Sequence, residues 1–122
     1  MKSVQDFQSD IERFATAWGE ALKIGNHKVA NKLNNKLTKI AKEFKGDKTL
    51  GESVLTPLLK HPNPSVRLIA AVHALDQEVS SKDAEKALTE IANDPNIRVI
   101  RLTAKILLTK NRTRENSQSQ YH

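Results

Sequence analysis

A chain of 122 residues with no cysteine, 38% hydrophobic residues and a net charge of +6 has room for one domain with a core of its own, and it excludes disulfides, thiolate metal sites and a cysteine nucleophile. No stretch approaches the ~20 apolar residues of a membrane span, and Met1-Lys2-Ser3-Val4-Gln5-Asp6-Phe7 lacks the apolar run of a signal peptide, so a cytoplasmic protein with no membrane engagement is expected. The charge is patchy: residues 26–48 carry seven Lys/Arg against two Asp/Glu, and 96–122 carry six against one, while 49–95 are net acidic.

Helical periodicity runs along the whole chain, and no segment alternates like a strand. Val4, Phe7, Ile11, Phe14, Ala15, Trp18 and Leu22 recur three or four apart. Ser3 with Asp6 predicts a capping-box start for this first helix, and Gly25 a stop. A second helix follows across a short link, with the apolar stripe Val29, Ala30, Leu33, Leu37, Ile40, Ala41 and Phe44, and ends at Gly46. The link Ile24-Gly25-Asn26 is short enough to make the two an antiparallel hairpin.

The third helix is predicted to start at Thr49, with Glu52 completing a capping box, and to kink or end early at Pro57. His61-Pro62-Asn63-Pro64 is a stop followed by a start: Asn63 as cap and Pro64 as first helical residue. The fourth helix, from Pro64 to about Gln77, is apolar on more than one side. Ser80 and Asp83 should open the fifth, with Ala84, Ala87, Leu88, Ile91 and Ala92 facing the core, and the sixth should run from Pro95 to about Thr109. Residues 1–110 are therefore expected to form one α-helical repeat domain. Residues 111–122 form a polar tail expected to be disordered.

A repeat is visible at an offset of 31: Asn63-Pro64-Ser65-Val66-Arg67-Leu68-Ile69 aligns with Asp94-Pro95-Asn96-Ile97-Arg98-Val99-Ile100. Such a period indicates stacked helix pairs, each unable to bury its apolar face alone. For Arg67 and Arg98 the expected role is stem packing with a bond to a neighbouring loop or carboxylate.

The run from Leu58 to Leu75, with its Pro64-Ser65-Val66-Arg67 centre, resembles a HEAT-type repeat. Together with Phe14, Ala21, Gly25 and Asn31 it is similar to a family of small bacterial helical proteins of uncharacterised function, over most of Phe14 to Leu108. The resemblance implies an all-α, right-handed HEAT-like stack of about six helices in three antiparallel pairs, with no catalytic residues to carry over. Proteins of this size and type are found among bacterial immunity proteins, which neutralise toxins delivered by neighbouring cells.

No catalytic constellation emerges. The glycines are isolated, and His27, His61, His73 and His122 have no metal-ligand spacing. Asp76/Glu78 and Asp83/Glu85 are two apart and diverge around a helix. His73 shares a face with Val66, Ile69 and Ala70, as a packed residue with one hydrogen bond would. No enzyme activity, metal or cofactor is expected.

Two basic stripes stand out. Lys28, Lys32, Lys36 and Lys39 share one face of the second helix, with no acid before Glu43. Arg98, Arg101 and Lys105 share a face of the sixth. A merely solvated face interleaves both signs, and like charges four apart repel by a few tenths of a kcal/mol, so an acidic protein partner is the expected counterpart. The rival is nucleic acid, whose phosphates such stripes could track. An adaptor role in a larger assembly is a third alternative. Val99, Leu102 and Ile106 form a second apolar face on the sixth helix, open to a partner or to a second copy of the chain unless the first hairpin covers it.

Overall fold

The computed structural model describes residues 2–97 and 100–109; every absence stated below refers to these residues. The expectations for Arg98, for Val99 and for the polar tail 111–122 lie outside them. All regular structure described is helical: α1 Val4–Lys23, α2 His27–Phe44, α3 Lys48–Leu58, α4 Pro64–Gln77, α5 Ser81–Ala92, and a sixth, α6, described over 100–109.

Local chemistry accounts for most boundaries. Ser3 and Asp6 form the predicted capping box, through bonds of 3.1 and 2.9 Å. At the other end of α1, Gly25 takes φ +72°, with Gly25 N–H donating to the Leu22 carbonyl and Asn26 N–H to Ala21. This is the paired bonding of a Schellman turn, which a residue without a Cβ adopts without strain. Asn26 then caps α2 by accepting from Val29 N–H at 3.2 Å.

Three starts differ from expectation. Asp47, not Thr49, caps α3, its Oδ1 accepting from Leu50 N–H at 3.1 Å; a carboxylate placed two residues earlier satisfies a free amide and the positive helix end together. Ser80 precedes α5 but makes no side-chain cap bond. Glu78 and Ser80 both sit at positive φ, and the Ser80 hydroxyl is turned instead to Thr56 at 2.7 Å. Pro95 does not begin a helix: residues 95–96 form a turn, with Asp94 Oδ1 accepting from Asn96 N–H at 2.9 Å.

α1 lies along α2 and also meets α3 and α4, while α4 runs between α3 and α5. Phe7 and Phe44 meet edge to face at 5.2 Å between ring centres. Gly19 is required where α1 meets α4, because a Cβ there would run into the Ser65 hydroxyl and lie 2.8 Å from the Ser65 Cβ. Polar ties reinforce the layers: Gln8 donates from α1 to the Ser53 and Val54 carbonyls of α3, and the buried Gln77 of α4 donates to the Ala41 carbonyl of α2 at 3.1 Å. The core is one cluster running from Phe7 to Leu108. Val29, expected in the α2 stripe, is instead 40% exposed, because it stands in the first turn of α2, at the tip of the hairpin.

Candidate partner-binding surface

α2 presents its core residues Ala30, Leu37, Ile40, Ala41 and Phe44 inward, which turns Lys28, Lys32, Lys36 and Lys39 outward; all four are exposed. None of them, nor the exposed Lys42, forms an ion pair among the described residues. The acid that could have neutralised the row, Glu43, is held by Lys2 at 3.3 Å. At 1.5 Å of rise per residue, Lys28, Lys32 and Lys36 follow one another at about 6 Å along the axis, and the row to Lys39 spans roughly 16 Å.

One contact anchors the row to the fold. Two cations lie over the Phe14 ring, with the Arg13 guanidinium 4.8 Å and the Lys36 ammonium 5.4 Å from its centre. The pattern assigned Phe14 to the core stripe, but the ring is only half-buried. Cations over an aromatic face are held electrostatically, so Lys36 is the best-oriented member of the row. No spacing signal marked Phe14 for its contact with Lys36, because that pairing joins two different helices.

The second stripe is less uniform. Arg98 lies outside the described residues, Arg101 is half-buried and Lys105 is exposed. No hydrogen bond or ion pair described joins the two stripes. Ile100, Ala104 and Leu108 are buried, whereas Leu102 is 61% and Ile106 50% exposed. The first hairpin does reach α6, through Gly19 beside Ile100, but it leaves these two side chains open.

Other titratable groups separate from the surface. His73 is buried as expected but makes no hydrogen bond among the described residues. It lines a cleft of about 340 Å³ between α2 and α4 with Lys45 and Asp76, which pair with each other at 3.1 Å. Burial pushes its pKa below the ordinary 6.5, with Asp76 opposing and Lys45 reinforcing the shift. Arg67 packs its stem as expected, yet its buried Nε has no partner. It faces a cleft of about 330 Å³ that also holds Lys60, Asp83, Lys86 and Glu90, and it reaches no carboxylate within 4 Å. No group of three or more His, Asp or Glu side chains is placed to hold a metal, and no described helix is long and apolar enough to cross a membrane.

Residues 9–108 match the family described as "Domain of unknown function (DUF2019)". The chain belongs to that family. The match takes in α2 with its whole lysine row, the repeat centred on Pro64, and most of α6. No curated protein and no solved structure matches the chain.

Proposed function

We propose that this DUF2019 chain is a non-catalytic protein-binding module, its helices arranged as a HEAT-like right-handed stack of three antiparallel pairs. In this reading it acts in the cytoplasm as an immunity protein, docking on a toxin domain through an acidic patch and blocking it. One observation carries the reading: four exposed lysines on one face of α2 with no carboxylate partner. Repulsion along such a row is relieved by an acidic surface, and complementary charge raises association rates and excludes wrong partners. The short links between successive helices support the stacked-pair arrangement, and the likeness of the Pro64 region to HEAT-type repeats supports its handedness.

The same unpaired lysines favour a second reading, sequence-independent contact with nucleic-acid phosphates. It is the weaker one. The acidic stretch of residues 49–95 interrupts a continuous track, and the aromatic ring nearest the row, Phe14, is already covered by cations and offers no stacking platform.

The test is expression of the adjacent gene's product with and without this chain. Growth arrest by that product should be relieved by the natural chain and not by the Lys32→Glu/Lys36→Glu variant. Equal relief by a folded double variant removes the lysine row from the surface, and the absence of any arrest removes the immunity reading.

A further inference from the structure

Resting on the protein-binding reading above, we infer that the tip of the first hairpin is the apolar anchor of the same surface, and that the partner is an acidic amphipathic helix. One apolar side chain of that helix seats on Ile24 and Val29, and its carboxylates run along Lys28, Lys32, Lys36 and Lys39.

Four large apolar residues are exposed among those described, and two of them, Ile24 at 77% and Val29 at 40%, stand at this tip. Every residue from Lys23 to Val29 is exposed, so no other part of the described fold covers it. The exposure does not come from a loose end. The Schellman bonds of Gly25 and Asn26 and the Asn26 cap on Val29 hold the turn, and a Cβ added at Gly25 would meet nothing within 4 Å. Two exposed apolar side chains on an ordered turn at the head of a row of charges have the make-up of a contact centre with a charged border, where the apolar part supplies affinity and the charges supply register.

Spacing fits a helix. A partner helix has the same rise as α2, so carboxylates placed four residues apart meet Lys28, Lys32 and Lys36 at the same interval of about 6 Å. The two ends of α2 set the direction. At the N-terminal end the tip is apolar and the helix dipole favours an anion. At the C-terminal end Glu43, paired with Lys2, closes the row. The partner's apolar residue therefore precedes its acids in the direction from the tip to Glu43. A phosphate strand meets the lysines equally well but leaves Ile24 without a counterpart.

The experiment titrates the full chain with two synthetic helical peptides and a duplex DNA of matched charge. The first peptide carries Glu residues at four-residue spacing with Leu one turn after the last of them, the order in which an antiparallel helix sets its negative C-terminal end beside the positive N-terminal end of α2, and the second replaces that Leu with Ser. Burying the Leu on the tip should make the first bind about tenfold tighter. The preference should vanish in Ile24→Ser/Val29→Ser, whose melting curve should match that of the natural chain. Lys32→Glu/Lys36→Glu should weaken both peptides alike and flatten their salt dependence. Equal binding of the two peptides to the natural chain overturns the anchor while leaving the lysine surface in place. Duplex DNA binding more tightly than either peptide, indifferent to the tip variant, overturns the protein-binding reading itself. Failure of both peptides to bind at millimolar concentration overturns the acidic-helix partner.

Discussion

α2 and α4 are both helices of ordinary length, yet they hold opposite positions. α2 buries one side only, Ala30, Leu37, Ile40, Ala41 and Phe44, and gives the rest to solvent. α4 buries Ser65, Val66, Leu68, Ile69, Ala70, Ala71, His73, Ala74 and Gln77, which together leave almost no solvent side, because α1, α3 and α5 all pack on it. A helix surrounded in this way carries stability and has no face to offer. A helix packed on one side has a face whose charges folding leaves largely free, here all but Lys36, which lies over the Phe14 ring. The lysine row is on the second kind.

The sharpest break in this comparison is a cavity. Leu68→Ala, at a position 1% exposed, should lower unfolding free energy by about 2–5 kcal/mol, since the surrounding helices cannot close the space; denaturant unfolding measures it. Lys32→Glu/Lys36→Glu on α2 should move the same curve by no more than about 1 kcal/mol, the lost contact of Lys36 with Phe14 included. Comparable losses from the two variants would erase the distinction.

Acid should also act on α4 before α2. His73 has its folded-state pKa below the ordinary 6.5 through burial, so the unfolded chain takes up the proton first. Its contribution is fully present above about pH 6.5 and is lost progressively as the pH falls toward the folded-state value. The melting temperature should drop across that window, and the drop should shrink in His73→Leu. A His73→Leu profile with the natural slope would place the acid sensitivity elsewhere.

The smallest effect sits at the end of α4. Glu78 occupies the left-handed region at φ 58°, where the bonds Glu78 N–H to Leu75 and Val79 N–H to Ala74 repeat the turn that Gly25 makes without strain. Glu78→Gly should raise stability by about 0.5–1 kcal/mol, the relief of backbone strain outweighing the added freedom of the unfolded chain. A thermal melt that falls instead would mean the Glu78 side chain contributes more than its backbone conformation costs.

Much of this was legible in the residues. The capping box at Ser3, the Gly25 stop, the Asn63-Pro64 start and the outward lysines each follow from groups within about four positions of one another. The pattern misjudged residues whose surroundings come from elsewhere in the chain. Ser80 has the chemistry of a helix cap, but Thr56, 24 positions earlier, takes its hydroxyl. Phe14 has the spacing of a core residue and does pack against the core, but its ring also carries two cations that the spacing gave no sign of. Arg67 has the spacing of a bridging residue, yet its Nε meets no acceptor.

The two copies of the repeat mark the boundary between what the sequence settles and what the fold settles. Asn63 and Asp94 make the same bond, each accepting from the amide two residues on at 2.9 Å. That turn is local, and either residue forms it wherever it stands. After Pro64 the chain enters a helix at once, with Ser65 and Val66 buried and Ser65 lodged against Gly19 of α1. After Pro95 it stays in a turn, with Asn96 exposed. Sequence alone determined the helical character of the chain, the short-range caps and the charge of each face, because these depend on neighbours along the backbone. Tertiary structure decided which start becomes a helix at its proline and which apolar side chains, Ile24 and Val29 among them, remain uncovered, because burial depends on helices brought together from distant parts of the chain.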